Sequence, residues 1–252
     1  KVAVNPDGTL DRASMQTIIN PDDLNAVEAA LALKDELGCK VVAFTMGPPP
    51  AEGMLRELMA MGVDEGVLIT AREFGGSDTY ATSQIIAAGI DTYGVDEDDV
   101  ILAGRQAIDG DTAQVGPQIS EHLGLPVISY AQKIREVNEA EKYIVVERQY
   151  DDRYHVVKAQ LPCLLTALAE LNEPRYMTPG GIFDAYAKEI TVWGRKDLKD
   201  VLDSNLGLKG SPTQIAKASD KVRKGAGVKE TNLDPSAAAN YIVEKLTEKH
   251  VL

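Results

Sequence analysis

The residues best suited to chemistry lie between Gly104 and Pro117, G-R-Q-A-I-D-G-D-T-A-Q-V-G-P. Arg105 brings a cation, Asp109 and Asp111 carboxylates, Gln106 and Gln114 amides. Gly104 and Gly110 permit left-handed or very tight backbone. The apolar run Val100 to Ala103 leads in as a strand. A helix is expected from about Thr112, with Asp109 or Asp111 as its cap. A strand end, a small-residue loop and a helix N-terminus present unpaired N–H groups and a positive dipole end. That arrangement suits a nucleotide phosphate. An ordinary βα turn with a capping aspartate reads the same way, and local pattern does not choose between them.

Other helix entries carry similar groups. Asn20 is expected to cap a helix to about Leu37, with Pro21 at its first position, Asp22 and Asp23 behind it and Gly38 as its stop. Capping alone accounts for that pattern. After the strand Lys40–Thr45, the sequence M-G-P-P-P puts Met46-Gly47 where a ligand can approach backbone, before a helix Ala51–Met61. A third strand, Gly66–Thr70, is followed by G-G-S-D-T-Y-A-T-S and a helix through Tyr93, capped by Ser77 or Asp78. Ser77, Thr79, Tyr80, Thr82 and Ser83 supply more hydroxyls than capping uses.

Strand, loop and helix therefore alternate up to about residue 122, the signature of a parallel sheet with flanking helices. Ligands of such sheets sit at the carboxyl ends of the strands, where Met46, Ser77 and Gly104 all fall. Neither G-x-G-x-x-G nor G-x-x-x-x-G-K-[ST] is present. Next come Val127–Val137, Tyr143–Tyr150 and Tyr154–Ala159, a β-meander, and the apolar run Pro162–Ala167, a buried strand. L-N-E-P-R-Y-M-T-P-G-G-I-F reads as a loop exposing Tyr176, Met177, Ile182 and Phe183, and so as a contact surface. Glu189–Trp193 is the last strand. The segment Leu206–Lys229 is poor in apolar residues and reads as an extended arm, ahead of an amphipathic helix Pro235–Lys249. That helix either wraps a partner subunit or docks on its own core.

The chain has 252 residues and a net charge of −13. So acidic a chain is unsuited to nucleic acid, which needs clustered Lys and Arg. No apolar run is long enough to span a membrane. Cys39 and Cys163 cannot build a disulfide framework, fit a reducing compartment and read as core residues. His122, His155 and His250 lack ligand spacing, so no metal site is expected. The N-terminal hairpin Lys1–Arg12 turns on N-P-D-G.

In order along the chain, I-I-N-P-D-D-L-N-A-V-E-A-A-L, T-M-G-P-P, A-M-G-V-D-E, the Gly104 stretch, L-P-C-L-L-T-A and L-N-E-P-R-Y resemble the beta subunits of electron-transfer flavoproteins. Val146–Thr166 is similar to the family signature, with His155 where Glu or Gln is usual. The resemblance implies a Rossmann-like α/β fold of the adenine-nucleotide-binding type at 1–193, and a C-terminal arm and helix at 194–252 packing on the partner subunit. The family's fold begins with one further strand, ahead of the point where this chain starts. The resemblance also implies a heterodimer with an alpha subunit that carries FAD.

In one branch the beta subunit holds structural AMP. In the other it holds a second FAD that takes hydride from NADH and bifurcates the electrons. One goes to ferredoxin or flavodoxin, the other through the alpha-subunit FAD to an acyl-CoA or hydroxyacid dehydrogenase. M-G-P-P, G-G-S-D-T-Y-A-T-S and Y-M-T-P-G-G-I-F resemble the bifurcating branch.

Carried onto this chain, the cofactor contacts are Asn20, Pro21, Asp22 and Asp23, then Thr45, Met46 and Gly47, then Asp78, Thr79, Tyr80, Ala81 and Thr82. They continue with Arg105, Gln106, Ala107, Ile108, Asp109, Gly110, Asp111, Thr112, Ala113, Gln114, Val115 and Gly116. Dehydrogenase docking falls on Tyr176, Met177, Thr178, Pro179, Gly180, Gly181, Ile182 and Phe183, with Pro179 at the anchoring position. No side chain is implied as catalytic, since the redox chemistry belongs to the flavin. The expected compartment is the bacterial or archaeal cytoplasm. A stand-alone nucleotide-binding module of the universal-stress type is a further reading of the same sheet.

Overall fold

The computed structural model describes residues 18–214 and 225–252. The N-terminal hairpin and the middle of the arm lie outside them. Helix α1 (Pro21–Leu37) starts at proline and stops at Gly38, whose φ of 74° only glycine adopts freely. It is followed by β1 (Val42–Met46), α2 (Glu52–Met61), β2 (Glu65–Ile69), α3 (Thr79–Tyr93), β3 (Val100–Gly104) and α4 (Val115–Leu123). The meander is β4 (Val127–Asn138), β5 (Tyr143–Gln149) and β6 (Tyr154–Gln160). Then β7 (Cys163–Ala167), α5 (Pro179–Ala187), β8 (Thr191–Trp193) and the short α6 (Gly207–Gly210) complete the main unit.

Among the described residues the strands form two hydrogen-bonded sheets. One is wholly parallel, in the order β1-β2-β8; the other runs β3-β7-β4-β5-β6. In the second, β3, β7 and β4 are parallel, and β4, β5 and β6 pair antiparallel. The sequence therefore predicts the parallel and meander portions correctly. Every residue of β7 is buried, as its unbroken apolar run requires. Residues of β1 are all half-buried, as are those of β3 up to its terminal glycine. Shared helices connect the sheets. Ala87 and Ile90 of α3 pack in one cluster with Phe44 of β1 and Ile101 of β3. On α1, Leu24, Val27 and Ala30 pack with Ala43 of β1.

Three expectations change. Residues 194–211 are not an arm: Leu198, Val201 and Leu206 are buried with Val67, Ile69, Phe74 and Ile85. The main compact unit extends to Ala216, and the second covers Lys217–Leu252. In that second unit α7 (Pro235–Glu248) is capped by Asp234, which accepts from the N–H groups of Ser236 and Ala237. Cys39 is exposed rather than core, because the chain has already left α1 at Gly38; Cys163 is buried. Finally, Tyr176–Phe183 is only half a loop, since Thr178 caps α5 by accepting from Gly181 N–H.

Candidate functional site

Parallel β1 and β2 end on one edge, and the loops leaving β2 and β3 meet where Thr79 Oγ1 donates to Gln114 Oε1 at 3.1 Å. The ends of β1, β2 and β3 thus share the carboxyl edge. Thr45, Met46 and Gly47 lie on it through β1. No hydrogen bond among the described residues ties their side chains to the other loops.

Asn20 does something other than cap α1. Its side chain makes no cap hydrogen bond. Instead Nδ2 donates to the Gln106 carbonyl at 2.9 Å, and Oδ1 accepts from Ile108 N–H at 3.2 Å. The amide thereby satisfies two backbone groups of a loop 86 residues away. Asp23 continues the clamp. Its Oδ1 accepts from Gly104 N–H at 2.5 Å and its Oδ2 from Asn20 at 3.1 Å. Burial pushes this carboxyl up, against the opposing pull of the Gly104 N–H and of Asn20. Asp22 Oδ2 lies 3.3 Å from Arg105 Nε, a charge contact without hydrogen-bond geometry. Gly104 is required by proximity, not by its dihedral. A Cβ there would lie 2.6 Å from Asp23 N and 2.7 Å from the Asp22 carbonyl carbon.

The loop itself departs from the sequence reading. Helix α4 begins at Val115, and Gln114 stands at its cap without a side-chain capping bond. Asp109 and Asp111 do not cap it. Asp111 and Ala113 take the left-handed conformation, at φ 51° and 53°. Gly110 does not, and a Cβ on it would meet nothing within 4 Å. Asp111 Oδ1 accepts from Gln106 Nε2 at 3.0 Å, so that carboxylate braces the loop from within. Gly116 lets α4 settle on β7, because a Cβ would come within 2.8 Å of Thr166 Cγ2.

Asp78 caps α3 as expected, accepting from Ala81 N–H at 3.0 Å. Its other oxygen accepts from Thr213 N–H at 2.9 Å and from Thr213 Oγ1 at 2.6 Å. Burial alone would raise this carboxyl. The bonds from Thr213 and Ala81 outweigh it and hold the group below the usual carboxylate range. Asp78 N–H donates to Ser211 Oγ at 2.8 Å. Ser211 and Thr213 are thus part of the site's support, and nothing in the sequence S-P-T-Q marks them. Tyr80 faces His122 edge-on, ring centroids 5.4 Å apart, and burial holds that imidazole below its ordinary range.

Groups remain for a phosphorylated ligand. The first-turn N–H groups of Val115 and Gly116 have no intrahelical acceptor. The Arg105 side chain is 39% exposed, with its Nε buried. The side-chain hydroxyls of Thr45, Thr82 and Thr112 take no hydrogen bond among the described residues. Cation, N–H pair and hydroxyls are a donor set for phosphate and polyol oxygens. The side chains of Asn20, Asp23 and Asp78 are already engaged in shaping the loops that carry that set.

A second surface lies elsewhere. Arg175 pins the chain to α1, with Nε 2.8 Å from Glu28 Oε2 and Nη2 2.9 Å from both Glu28 Oε1 and Asp35 Oδ2. Asn25 and Asn172 exchange hydrogen bonds beside it. This explains N-E-P-R as a brace. The next residue, Tyr176, is 92% exposed. Helix α5 seats Gly181 and Ala185 on α2 and turns Phe183 and Tyr186 to solvent. Tyr186 was not among the expected docking residues. Pro179 and Gly180 are exposed in the first turn of α5. A groove of about 350 Å³, lined by Ile18, Leu24, Met61, Pro174 and Met177 among others, runs beside this segment.

The fold is that of an α/β protein with a parallel and a mixed sheet and flanking helices. The electron transfer flavoprotein domain family matches residues 7–198, and the chain belongs to that family. It is 53% identical over 257 residues to the acryloyl-CoA reductase electron transfer subunit gamma of Anaerotignum propionicum, covering all of this chain and 94% of that one. It is 48% identical over 254 residues to the caffeyl-CoA reductase-Etf complex subunit CarD of Acetobacterium woodii, covering 100% and 95%. The beta subunit of the Clostridium acetobutylicum electron transfer flavoprotein is 49% identical over 253 residues, with the same coverages. No described helix is long and apolar enough to cross a membrane.

Proposed function

We propose that the chain is the beta subunit of a heterodimeric, electron-bifurcating electron-transfer flavoprotein of the bacterial or archaeal cytoplasm. Its carboxyl-edge site holds FAD, which accepts hydride from NADH and delivers electrons singly to ferredoxin or flavodoxin and, through the alpha-subunit FAD, to a dehydrogenase. The observation that carries this is the meeting at the carboxyl edge of the loops after β2 and β3, through Thr79 and Gln114, beside the Arg105 loop that Asn20 and Asp23 clamp. It is supported by likeness to relatives named for acryloyl-CoA and caffeyl-CoA reductases.

In this reading the chain's own residues do the positioning. The Val115 and Gly116 N–H groups and Arg105 hold the phosphates, and the threonine hydroxyls hold the polyol. Asn20, Asp22 and Asp23 hold the loop from Gly104 to Ile108 at α1, and Asp78 with Thr213 holds the start of α3. Met46 and Gly47 leave the backbone open at the end of β1. Tyr176 to Phe183, extended by Tyr186, docks an acyl-CoA or hydroxyacid dehydrogenase. The C-terminal unit packs on the alpha subunit.

The alternative within the family is AMP at the same edge. It is favoured by the phosphate donors alone, and FAD by the additional hydroxyls. Nucleotide extracted from the purified heterodimer separates them. FAD at both sites supports bifurcation, whereas AMP in place of the second FAD rejects it. The family match over residues 7–198, with relatives alignable along the whole chain, gives no support to a stand-alone stress-type module.

A further inference from the structure

Tyr130 is the residue of β4 that its surroundings explain least. Its φ is 60°, a left-handed conformation that a bulky side chain seldom takes. It sits at the register shift between Ile128 and Ala131, both of which point into one core cluster. The bulge is held on purpose. The Tyr130 N–H donates at 3.0 Å to Oγ1 of Thr166, a hydroxyl otherwise out of place in the fully buried strand β7. The same Thr166 offers its methyl to the backbone of Gly116. One side chain therefore separates Tyr130 from the first turn of α4.

On the other side of β7, Ala167 pairs with Gly104 and accepts from Arg105 N–H at 2.9 Å. Ala131 pairs with that same Ala167 from β4. Gly104 and Ala131 thus stand level at the carboxyl edge with one strand between them, about 10 Å apart at two strand spacings, and Arg105 and Tyr130 adjoin them in sequence. Tyr130 remains 37% exposed there, and its hydroxyl takes no hydrogen bond among the described residues.

Strain of this kind survives where the surroundings impose it, and it concentrates at ligand sites. We infer that Tyr130 is an aromatic wall of the nucleotide site, against which the planar heteroaromatic ring of the ligand packs. The inference rests on the nucleotide reading of the carboxyl edge and adds a residue that reading did not contain. Thr166 is its positioning residue, setting the bulge that turns the ring to the edge. The shared ligand chemistry is a flat π-system, adenine or isoalloxazine.

The test uses the complete chain in complex with its alpha subunit, stripped of nucleotide and titrated separately with AMP and FAD. Three variants are compared. Tyr130→Asn keeps a residue that tolerates the left-handed conformation but removes the ring. Tyr130→Phe keeps the ring. Thr166→Val frees the bulge. The melting temperature of Tyr130→Asn is expected to stay within a few degrees of the parent, while its nucleotide affinity falls about tenfold. Phe is expected to retain affinity, and Thr166→Val to lose it in part.

A loss in both titrations assigns the stacked ring to adenine. A loss with FAD alone, accompanied by brighter flavin emission once the tyrosine is gone, assigns it to isoalloxazine. Unchanged affinity in Tyr130→Asn overturns the inference, as does a Phe variant as weak as the Asn variant. Weakened subunit association with normal nucleotide affinity also overturns it. A parent complex that binds neither nucleotide removes the site itself, a different failure.

Discussion

Gly104 and Gly110 offer a matched pair of substitutions in one loop. A Cβ on Gly104 would lie 2.6 Å from Asp23 N, 2.7 Å from the Asp22 carbonyl carbon and 2.8 Å from Asp23 Oδ1. The first two are backbone atoms in the first turn of a helix and cannot yield as a flexible side chain would. Gly104→Ala must therefore push α1 from β3 by the better part of an ångström. Overpacking of this kind costs about 1–3 kcal/mol. The displacement also weakens the bond from Gly104 N–H to Asp23, and leaving a buried carboxylate short of a donor costs about 1–3 kcal/mol more. Because the two losses share one movement, about 2–4 kcal/mol is expected in all. Gly110→Ala meets nothing within 4 Å and has no left-handed φ to strain. It should change stability by about 0.5 kcal/mol or less.

Urea unfolding of both variants measures the difference, with the slope watched for departures from two-state behaviour. Nucleotide retention should fall in Gly104→Ala, because the same movement displaces the Arg105 loop. Equal midpoints for the two variants would refute the claim that α1 clamps this loop at Gly104.

Other substitutions test other parts of the account. Phe183→Ala and Tyr176→Ala should leave unfolding within about 0.5 kcal/mol of the parent, as exposed positions do, yet raise the concentration of dehydrogenase needed for half-maximal electron transfer; unaltered kinetics would remove them from docking. Arg175→Ala should cost about 1 kcal/mol after allowance for its partial exposure, and Arg175→Lys should not restore it, since lysine cannot span Glu28 and Asp35 together. One thiol, Cys39, should react with an aromatic disulfide in the native protein, and Cys163 only after unfolding, since burial pushes its thiol up to about 11. Because Asp78 is held below its ordinary range, its contribution to stability is present above pH 3.8 and lost as pH falls through the lower folded value; Asp78→Asn should flatten that part of the acid limb.

Much of this was readable from residue order, and the failures share a cause. Pro21 and Gly38 act on adjacent backbone, so the bounds of α1 follow from sequence. The unbroken apolar run of β7 likewise announces its burial. Asn20, by contrast, is a good cap type whose side chain finds better partners at Gln106 and Ile108. Long-range geometry decides between two uses of the same amide. The start of α4 was misplaced for a related reason. Asp111 bonds Gln106 across the loop and takes a left-handed φ, which delays the helix to Val115. The expectation of an arm at Leu206–Lys229, within a C-terminal segment from residue 194, follows from sequence that is polar on average. A few spaced apolar residues, Leu198, Val201 and Leu206, suffice to bury the start of that segment, and Ser211 and Thr213 then reach Asp78. The bulge at Tyr130 leaves no trace in composition at all, since tyrosine is an ordinary strand residue.

The central claim is that the carboxyl edge holds a flavin which splits the electrons of NADH. It is tested most directly by electron balance in the reconstituted system of heterodimer, dehydrogenase with its acceptor, and ferredoxin or flavodoxin. The account predicts that NADH reduces the low-potential carrier only while the dehydrogenase acceptor is present, with electrons divided equally between the two. Reduction of the dehydrogenase acceptor with no electrons reaching the carrier would contradict it.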